Sequence, residues 1–405
     1  MNKKFIILLT VFIDVLGMGI ILPILPFYVE SFGASAFVVT LLFATYSFFS
    51  FFSAPLLGAW SDKIGRRPVL IISIFSTALG WLVFAAAGNL FFLFLGRIID
   101  GAAAGNFPIA QSYLLDIAKD DKERTSNLGL IGAVFGVGLI IGPALGGLLS
   151  AWALDFPFWF VGGLASINFV LALMNIPETN QNRRLDKKIE INPFKPLLGA
   201  LNNKSLRLGF IAWFLFSVAI ASQQSIMALY LNAEFDFNSL MVGLVMTAMG
   251  LILIINQGFA LKKIWLRYFK ERFLIVWLTL LLAAGFFLMG ITYFLIFSFG
   301  LAFVAIAQSV LRAVITSEMT RRGAGDDRGM ILGVLNSVMS LGLISGPIMA
   351  GYLFGLKTNL PFLAAGIFGL AAYLILIIDC RRNKGEGAGL SEDDLRLVEQ
   401  KLELS

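Results

Sequence analysis

The chain has 405 residues, of which 58% are hydrophobic and only 14% are charged. Soluble domains carry about 25% charged residues, so this composition excludes an ordinary soluble enzyme and indicates a polytopic membrane protein. With no histidine and a single cysteine, Cys380, the chain cannot form a disulfide within itself, and we expect no transition-metal site.

Twelve apolar segments follow one another along the chain. Each is close to or above the length of about 20 residues that crosses a bilayer as a helix, and none shows the alternation of a membrane barrel. The first is too long for a cleavable signal peptide. The predicted bounds are 5–27, 37–58, 69–87, 90–115, 127–150, 157–176, 209–231, 239–260, 273–291, 293–317, 329–352 and 360–379. The sequence therefore predicts an all-α membrane protein with twelve transmembrane helices, numbered here as segments 1 to 12.

Basic residues are distributed unevenly among the connections. All but three of the 31 lie at the termini or in the even-numbered connections, and the exceptions are Arg97, Arg312 and Lys357. Because cytoplasmic connections are enriched in lysine and arginine, we expect both termini on the cytoplasmic side of an inner membrane. The same distribution accounts for the net charge of +6 without nucleic-acid binding.

The longest connection divides the segments into two groups of six. The sequence Ile-Ala-Gln-Ser at 109–112 recurs at 306–309, and Gly-Pro at 142–143 recurs at 346–347. Such repeats are typical of transporters that bind substrate between two related halves. We expect two pseudo-symmetric six-helix bundles (1–176 and 209–380), a cytoplasmic linker (177–208) and a cytoplasmic tail (381–405).

A short charged stretch, 58–67, lies between segments 2 and 3. Glycine lacks a Cβ, so we expect Gly58 to allow a close helix approach and Gly65 to allow a tight reversal. Asp62 is placed to face a helix N-terminus, where free N–H groups favour an anion.

The arginines of this stretch, Arg66 and Arg67, can pair with acids at the ends of neighbouring helices, such as Asp116. Contacts of this kind can form in one conformation and break in another. The spacing leaves open whether the stretch is a conformational latch or a positive connection that only fixes topology.

Asp14 lies about 14 Å inside segment 1 at ~1.5 Å per residue, close to the middle of a bilayer core about 30 Å thick. The free energy of inserting a carboxylate at that depth of the bilayer is unfavourable by roughly 2.5–3.5 kcal/mol. Burial disfavours the charged form, which suits a group that exchanges protons. The alternative is a structural aspartate that holds segment 1 to a neighbour.

Arg97 and Asp100 are three residues apart in segment 4, so they share one helix face. Either the two charges neutralise each other, or Arg97 responds to the protonation of a carboxylate. The second interpretation makes Asp14, Arg97 and Asp100 candidate proton-coupling residues.

Polar side chains inside later segments are candidates for substrate binding. Amides can orient a ligand without imposing charge, although they can equally join helices. Arg312 in segment 10 either reaches towards the lipid headgroups or binds an anionic substrate. The candidates are Gln223, Gln224, Gln257, Gln308 and Arg312.

Segment 5 carries closely spaced small residues together with a proline. Glycines allow helices to approach each other, and a proline removes one backbone hydrogen bond and can bend the helix. We expect a helix-packing hinge formed by Gly138, Gly142, Pro143, Gly146 and Gly147.

Four motifs together resemble the major facilitator superfamily. The stretch 58–67 is similar to its loop signature, Gly-x(3)-Asp-x(2)-Gly-Arg-Arg/Lys, and Arg97 with Gly101 and Gly105 is similar to its segment 4 motif. Residues 14–26 resemble segment 1 of the tetracycline-efflux-like drug:proton antiporter branch. The glycines of segment 5 resemble the motif associated with antiporters.

The resemblance implies the major facilitator fold and a proton-coupled antiporter that exports a small amphipathic molecule or drug by alternating access. It also implies a monomer in the lipid bilayer, with the proton gradient as energy source and no cofactor. Tetracycline exporters carry acids within segments 3 and 9, whereas the matching stretches here, 77–82 and 278–285, contain none.

Two other functions remain open. The chain could transport an anionic metabolite, such as a siderophore, with Arg97 and Arg312 as counter-charges. It could also be a membrane receptor or scaffold that transports nothing. An enzyme is not supported, because the sequence has no nucleotide-binding loop, nucleophile–base set or metal cluster.

Overall fold

A computed structural model of the protein describes residues 3–180, 206–322 and 328–382. Over these ranges twelve segments are helical, long enough and apolar enough to cross a membrane, which confirms the predicted number. The first six contain the helices Lys3–Glu30, Ala36–Ile64, Arg66–Ala85, Leu90–Ala102 with Asn106–Asp116, Asp121–Leu149 and Phe156–Asn175.

The last six segments begin at residue 207. Most of the predicted linker (177–208) and of the predicted tail (381–405) lies outside the described residues. The helices are Arg207–Phe235, Ser239–Ile255 continued by Asn256–Trp265 and Leu266–Tyr268, Glu271–Met289, Phe294–Arg322, Arg328–Leu356 and Leu360–Arg382.

The chain forms two compact units. The first unit comprises Met1–Pro193, Gln224–Gly250 and Pro347–Thr358, and the second comprises Phe194–Gln223, Leu251–Gly346 and Asn359–Ser405. The end of segment 7, most of segment 8 and the end of segment 11 therefore belong to the same unit as segments 1–6.

The core of the first unit is rich in aromatic residues. Tyr28, Trp81, Phe84 and Phe158 are buried together, with Tyr28 and Phe158 ring centroids 5.0 Å apart and Phe84 and Phe158 centroids 4.9 Å apart. Such side chains bury large apolar areas and pack edge to face. This cluster fixes segments 1, 3 and 6 around one another and so fixes the position of the polar groups on segment 1.

Segment 4 is not the single helix that its hydropathy predicts. The first helix ends at Ala102 and the second begins at Asn106. A buried helix end needs partners for its freed carbonyl groups, and the Ser53 hydroxyl donates to the Gly101 carbonyl over 2.6 Å. The interruption places Asp100 before the break and Asn106 directly after it.

Segment 8 continues beyond its predicted end at residue 260. It changes to π-helical winding over Asn256–Trp265 and ends at Tyr268. The Trp265 indole donates to Asn256 Oδ1 over 2.9 Å, so the side chains at the two ends of the π-helix are joined. π-Helical turns are rare and are frequently found at functional positions.

Segments 2 and 3 meet at a single residue. Their helices end at Ile64 and begin at Arg66, so most of the predicted connection 58–67 is helical. Gly65 has φ +117°, which side chains with a Cβ rarely adopt. The reversal between the two segments therefore requires glycine at this position.

Candidate functional site

The first candidate site is a polar cluster inside the helices of the first unit. The Asn106 amide nitrogen donates to Asp14 Oδ1 and to Thr77 Oγ1, each over 3.0 Å. Asn106 is only 3% exposed, and Thr77 is also buried. One side chain therefore joins segments 1, 3 and 4 at the carboxylate of Asp14.

Arg97 and Asp100 extend this cluster along segment 4. Arg97 Nη1 lies 3.6 Å from Asp100 Oδ2, and both side chains are buried. The guanidinium carbon lies 4.3 Å from the centroid of the Trp81 ring and 4.7 Å from that of Phe84. The aromatic rings stabilise the cation by cation–π attraction and exclude water from it.

Two nitrogens of Arg97 remain available. Nε and Nη2 are buried and have no hydrogen-bond partner among the residues that the structure describes. Buried polar groups are normally hydrogen-bonded, and leaving one unpaired is costly. Arg97 can therefore accept a further anionic or acceptor group without losing its contact with Asp100.

The cluster contains two carboxyl groups and one guanidinium. With both carboxyl groups ionised its net charge is −1, and one bound proton makes it neutral. A net charge within a membrane span is expensive, so the uptake of one proton is electrostatically favourable there. The charge balance of the cluster therefore depends on a single proton on one of its two carboxyl groups.

The second candidate site is the junction of segments 2 and 3. Arg66 Nη1 lies 2.5 Å from Asp62 Oδ1 and donates to Ser61 Oγ over 2.7 Å, while its Nε donates to Asp116 Oδ2 over 3.1 Å. The planar guanidinium thus contacts groups from segments 2 and 4 through two separate nitrogens in a fixed geometry.

The anion at the N-terminus of segment 3 is Glu178 and not Asp62, so that prediction for Asp62 is wrong. Glu178 accepts hydrogen bonds from the backbone N–H groups of Arg66 (2.9 Å) and Arg67 (3.2 Å). Asp62 lies in the last turn of segment 2 and pairs with the Arg66 side chain instead. A free N-terminus favours an anion wherever tertiary structure supplies one.

Glu178 is held mainly by main-chain donors. Partial burial raises its pKa, but hydrogen bonds from four backbone N–H groups outweigh that effect and hold the pKa below its ordinary value. The donors are Asn180, Arg66, Arg67 and Thr179. Sequence reasoning missed Glu178 because nothing local indicates that the residue after Pro177 reaches the start of segment 3.

Two further expectations for the junction need correction. Among the described residues outside its own helical turn, no atom lies within 4 Å of the position that a Cβ on Gly58 would occupy, so Gly58 makes no close helix approach there. Arg67 donates to the Leu173 carbonyl over 3.0 Å, and no acid within the described ranges lies at ion-pair distance from it. The Arg67 guanidinium therefore contacts the end of segment 6 through a backbone carbonyl.

The small residues of segment 5 lie against two different neighbours. A Cβ on Gly142 would lie 2.8 Å from the Gly19 Cα, and a Cβ on Gly147 would lie 2.8 Å from the Leu240 Cα. Backbones approach this closely only where side chains are absent. Gly138, Gly142 and Gly146 lie against segment 1, Gly147 lies against segment 8, and Pro143 lies against both.

The candidate substrate residues do not form one cluster. Gln223 and Gln308 are buried, whereas Gln224, Gln257 and Arg312 are exposed. Gln257 donates to the Ser309 carbonyl over 3.3 Å, which joins the π-helix of segment 8 to segment 10. Gln224 belongs to the first unit and the other four to the second.

A third group of charges lies in the second unit. Glu318 is 2% exposed and accepts from Arg272 Nε over 3.2 Å, from Arg322 Nε over 3.0 Å and from Arg321. Arg322 also donates to Asp379 Oδ2 over 2.6 Å. Glu318 thus joins segments 9 and 10, and Arg322 extends the network to Asp379 on segment 12.

Comparison with known sequences supports a membrane transporter. The chain is 26% identical to the class C tetracycline resistance protein of Escherichia coli, over 94% of this chain and 97% of that protein. It is 26% identical to multidrug resistance protein 2 of Bacillus subtilis, over 96% and 97%. It is 25% identical to the quinolone resistance protein NorA of Staphylococcus aureus, over 98% and 100%.

Solved structures show the same fold at lower identity. The nucleoside transporter NupG superposes with a TM-score of 0.75 at 15% identity, covering 94% of this chain and 99% of that chain. The human organic anion transporter MFSD10 superposes with a TM-score of 0.68 at 22% identity, covering 92% of this chain and 98% of that chain. The model of the Major Facilitator Superfamily matches residues 7–325. The chain thus belongs to the major facilitator superfamily and is a multi-pass membrane transporter of a small molecule, not an enzyme.

Proposed function

We propose that the protein is a proton-coupled antiporter that exports a small amphipathic molecule or drug across the inner membrane by alternating access. The observation that carries the proposal is the cluster in which Asn106 joins Asp14 to Thr77, beside the pair of Arg97 and Asp100. The names of the relatives, which are resistance proteins for tetracycline, several drugs or quinolones, support export.

In the proposed cycle, Asp14 and Asp100 exchange protons and Arg97 responds. The Asn106 amide donates to the ionised carboxylate of Asp14, and protonation weakens that hydrogen bond because it removes the charge on the acceptor. Arg97 then favours whichever carboxylate remains ionised. The proton gradient is the energy source, no cofactor takes part, and the protein works as a monomer with cytoplasmic termini.

The junction of segments 2 and 3 is the proposed latch. Its charged contacts, from Arg66 to Asp62 and Asp116, hold the cytoplasmic ends of segments 2 and 4 together in one state and separate in the other. The close contacts of segment 5 with segments 1 and 8 support its proposed role as a packing hinge.

Tetracycline itself is not the proposed substrate. The stretches 77–82 and 278–285 contain no acid, whereas the tetracycline exporters carry acids within segments 3 and 9. We therefore propose a substrate whose binding does not depend on carboxylates in segments 3 and 9.

The test is Asp14→Asn in proteoliposomes with an imposed pH gradient, with ethidium, norfloxacin and carboxyfluorescein as probe substrates. We expect flux driven by the pH gradient to fall at least tenfold while the thermal unfolding temperature is maintained. Asp121→Asn is the matched control, since Asp121 is exposed and its ion pair in the described part of the chain is with its neighbour Arg124. Undiminished flux through Asp14→Asn would remove the proposed role of Asp14.

A second candidate function, transport of an anionic metabolite such as a siderophore, is supported by Arg312. Its guanidinium has no hydrogen-bond or ion-pair partner within the described residues, although it lies in a membrane span.

Arg312→Gln separates the two functions. Under the anion hypothesis the variant loses carboxyfluorescein flux and keeps ethidium flux. If the flux of each probe through Arg312→Gln equals its flux through the unmodified protein, that hypothesis is contradicted.

A further inference from the structure

The stretch 256–270, which comprises the end of segment 8 and the two residues after it, is called the basic–aromatic end. It carries the basic residues Lys262, Lys263, Arg267 and Lys270, and no acid occurs between Asp236 and Glu271. Every charge on the stretch is therefore positive, directly beside an apolar run that is long enough to cross a membrane.

Three of these cations have no carboxylate partner among the residues that the structure describes. Lys262, Lys263 and Arg267 are exposed, and within the described parts of the chain no carboxylate lies at ion-pair distance from them. Lys263 Nζ lies 4.3 Å from the centroid of the Phe259 ring, and the Arg267 guanidinium lies 5.5 Å from that of Tyr268. The aromatic rings position the cations but leave their charge uncompensated.

The apolar side chains of the same end are also uncovered. Phe259 is 54% exposed and Tyr268 is 67% exposed. Aromatic residues of this kind concentrate at the level of the lipid headgroups, and clusters of lysine and arginine beside a membrane helix attract anionic lipids. The occupant must therefore offer negative charge and apolar surface together.

The backbone holds these groups in fixed positions. The π-helix of segment 8 is joined internally by the hydrogen bond from Trp265 to Asn256 and externally by that from Gln257 to the Ser309 carbonyl. Groups that are ordered before binding lose less conformational entropy when they bind. The cations therefore stand on an ordered helix and not on a flexible connection.

We propose that the basic–aromatic end binds the phosphate headgroup of an anionic phospholipid. Lys262, Lys263 and Arg267 contact the phosphate and Phe259 and Tyr268 lie among the adjoining acyl chains. A soluble acidic peptide would match the charges but would leave the aromatic side chains in water. A lipid satisfies both, and the site is independent of the transported substrate.

The test measures binding of fluorescent phosphatidylglycerol and phosphatidylcholine to the purified full-length protein in detergent. We expect the unmodified protein to prefer phosphatidylglycerol. K262Q/K263Q/R267Q should lose about a hundredfold in affinity for it, since each cation near an anionic headgroup contributes a similar increment. Each single variant should lose about fivefold, so the outcome does not depend on the triple variant alone.

The matched control is K119Q/K122Q/R124Q, which removes three exposed cations that lie among the acids Asp120, Asp121 and Glu123. It should keep the affinity for phosphatidylglycerol. Equal losses in the two triple variants, or no loss in the first, would overturn the proposal. Competition by millimolar glycerol 3-phosphate would also overturn it, because that result would indicate a site for free phosphate.

Discussion

The junction that follows segment 2 and the basic–aromatic end of segment 8 occupy the same place in the two groups of six segments, and both are rich in cations. At the junction, Arg66 is bonded to three side chains and the main chains of Arg66 and Arg67 bind Glu178. At the end of segment 8, Lys262, Lys263 and Arg267 have no such partners among the described residues. The two regions thus use similar charges differently. At the junction the geometry of the arginine contacts matters, whereas at the basic–aromatic end the net positive charge matters.

The cause of the difference is the distribution of acids. Asp62, Asp116 and Glu178 come from three parts of the chain and meet at the junction. The stretch 237–270 contains no acid at all. Counting basic residues alone predicts only that both regions lie on the cytoplasmic side. The positions of the carboxylates distinguish them: the junction forms an ion-pair network within the protein, whereas the basic–aromatic end is open to external anions.

The largest effect should come from Gly65→Ala. A Cβ at this position would overlap the Glu178 carboxylate, and the φ of +117° is strained for alanine, so a loss of about 1–3 kcal/mol is expected. Thermal unfolding in detergent measures it. Gly58→Ala is the matched control, because Gly58 is helical and unobstructed, and its unfolding temperature should stay equal or rise. Equal destabilisation of the two variants would contradict the structure of the junction.

A paired exchange of arginine for lysine tests geometry against charge. Arg66→Lys keeps the charge but cannot reach Ser61, Asp62 and Asp116 together, so we expect the transport rate to fall about tenfold. Arg267→Lys should leave both transport and phosphatidylglycerol binding unchanged, since only its charge is used. If both substitutions are silent, or both are harmful, the two regions do not differ in the way described.

The smallest effect should come from Glu178→Gln. The folded-state pKa of Glu178 lies below its unfolded value, so its stabilisation is complete above the ordinary glutamate pKa of about 4.3 and is lost as the pH falls through the folded value. The free energy of unfolding of the variant should be about 1 kcal/mol lower than that of the parent near neutral pH. The loss is small because the carboxylate is partly solvated. Unfolding temperatures measured from pH 7 to pH 3 check this. They should converge for variant and parent at the acidic end, and a constant difference would contradict the assignment.

Hydropathy predicts the twelve segments because apolar length decides which stretches can cross a bilayer. The i,i+3 spacing similarly places Arg97 and Asp100 on one face. The interruption of segment 4 escapes such reasoning, since residues 101–105 are small and apolar and have no proline. The π-helix of segment 8 and the position of Glu178 escape it too, because both depend on partners distant in sequence or on side-chain hydrogen bonds.

The interruption of segment 4 leaves a short helix, Asn106–Asp116, of 11 residues. Its first residue bonds to Asp14, and its last bonds to Arg66 at the junction. At 1.5 Å per residue the two ends are about 15 Å apart on one rigid body. In the proposed cycle, a shift of Asn106 when Asp14 changes its charge would also move Asp116, because both residues belong to one short helix. The proposed proton-coupling cluster would then be connected to the proposed latch without a series of side-chain rearrangements between them.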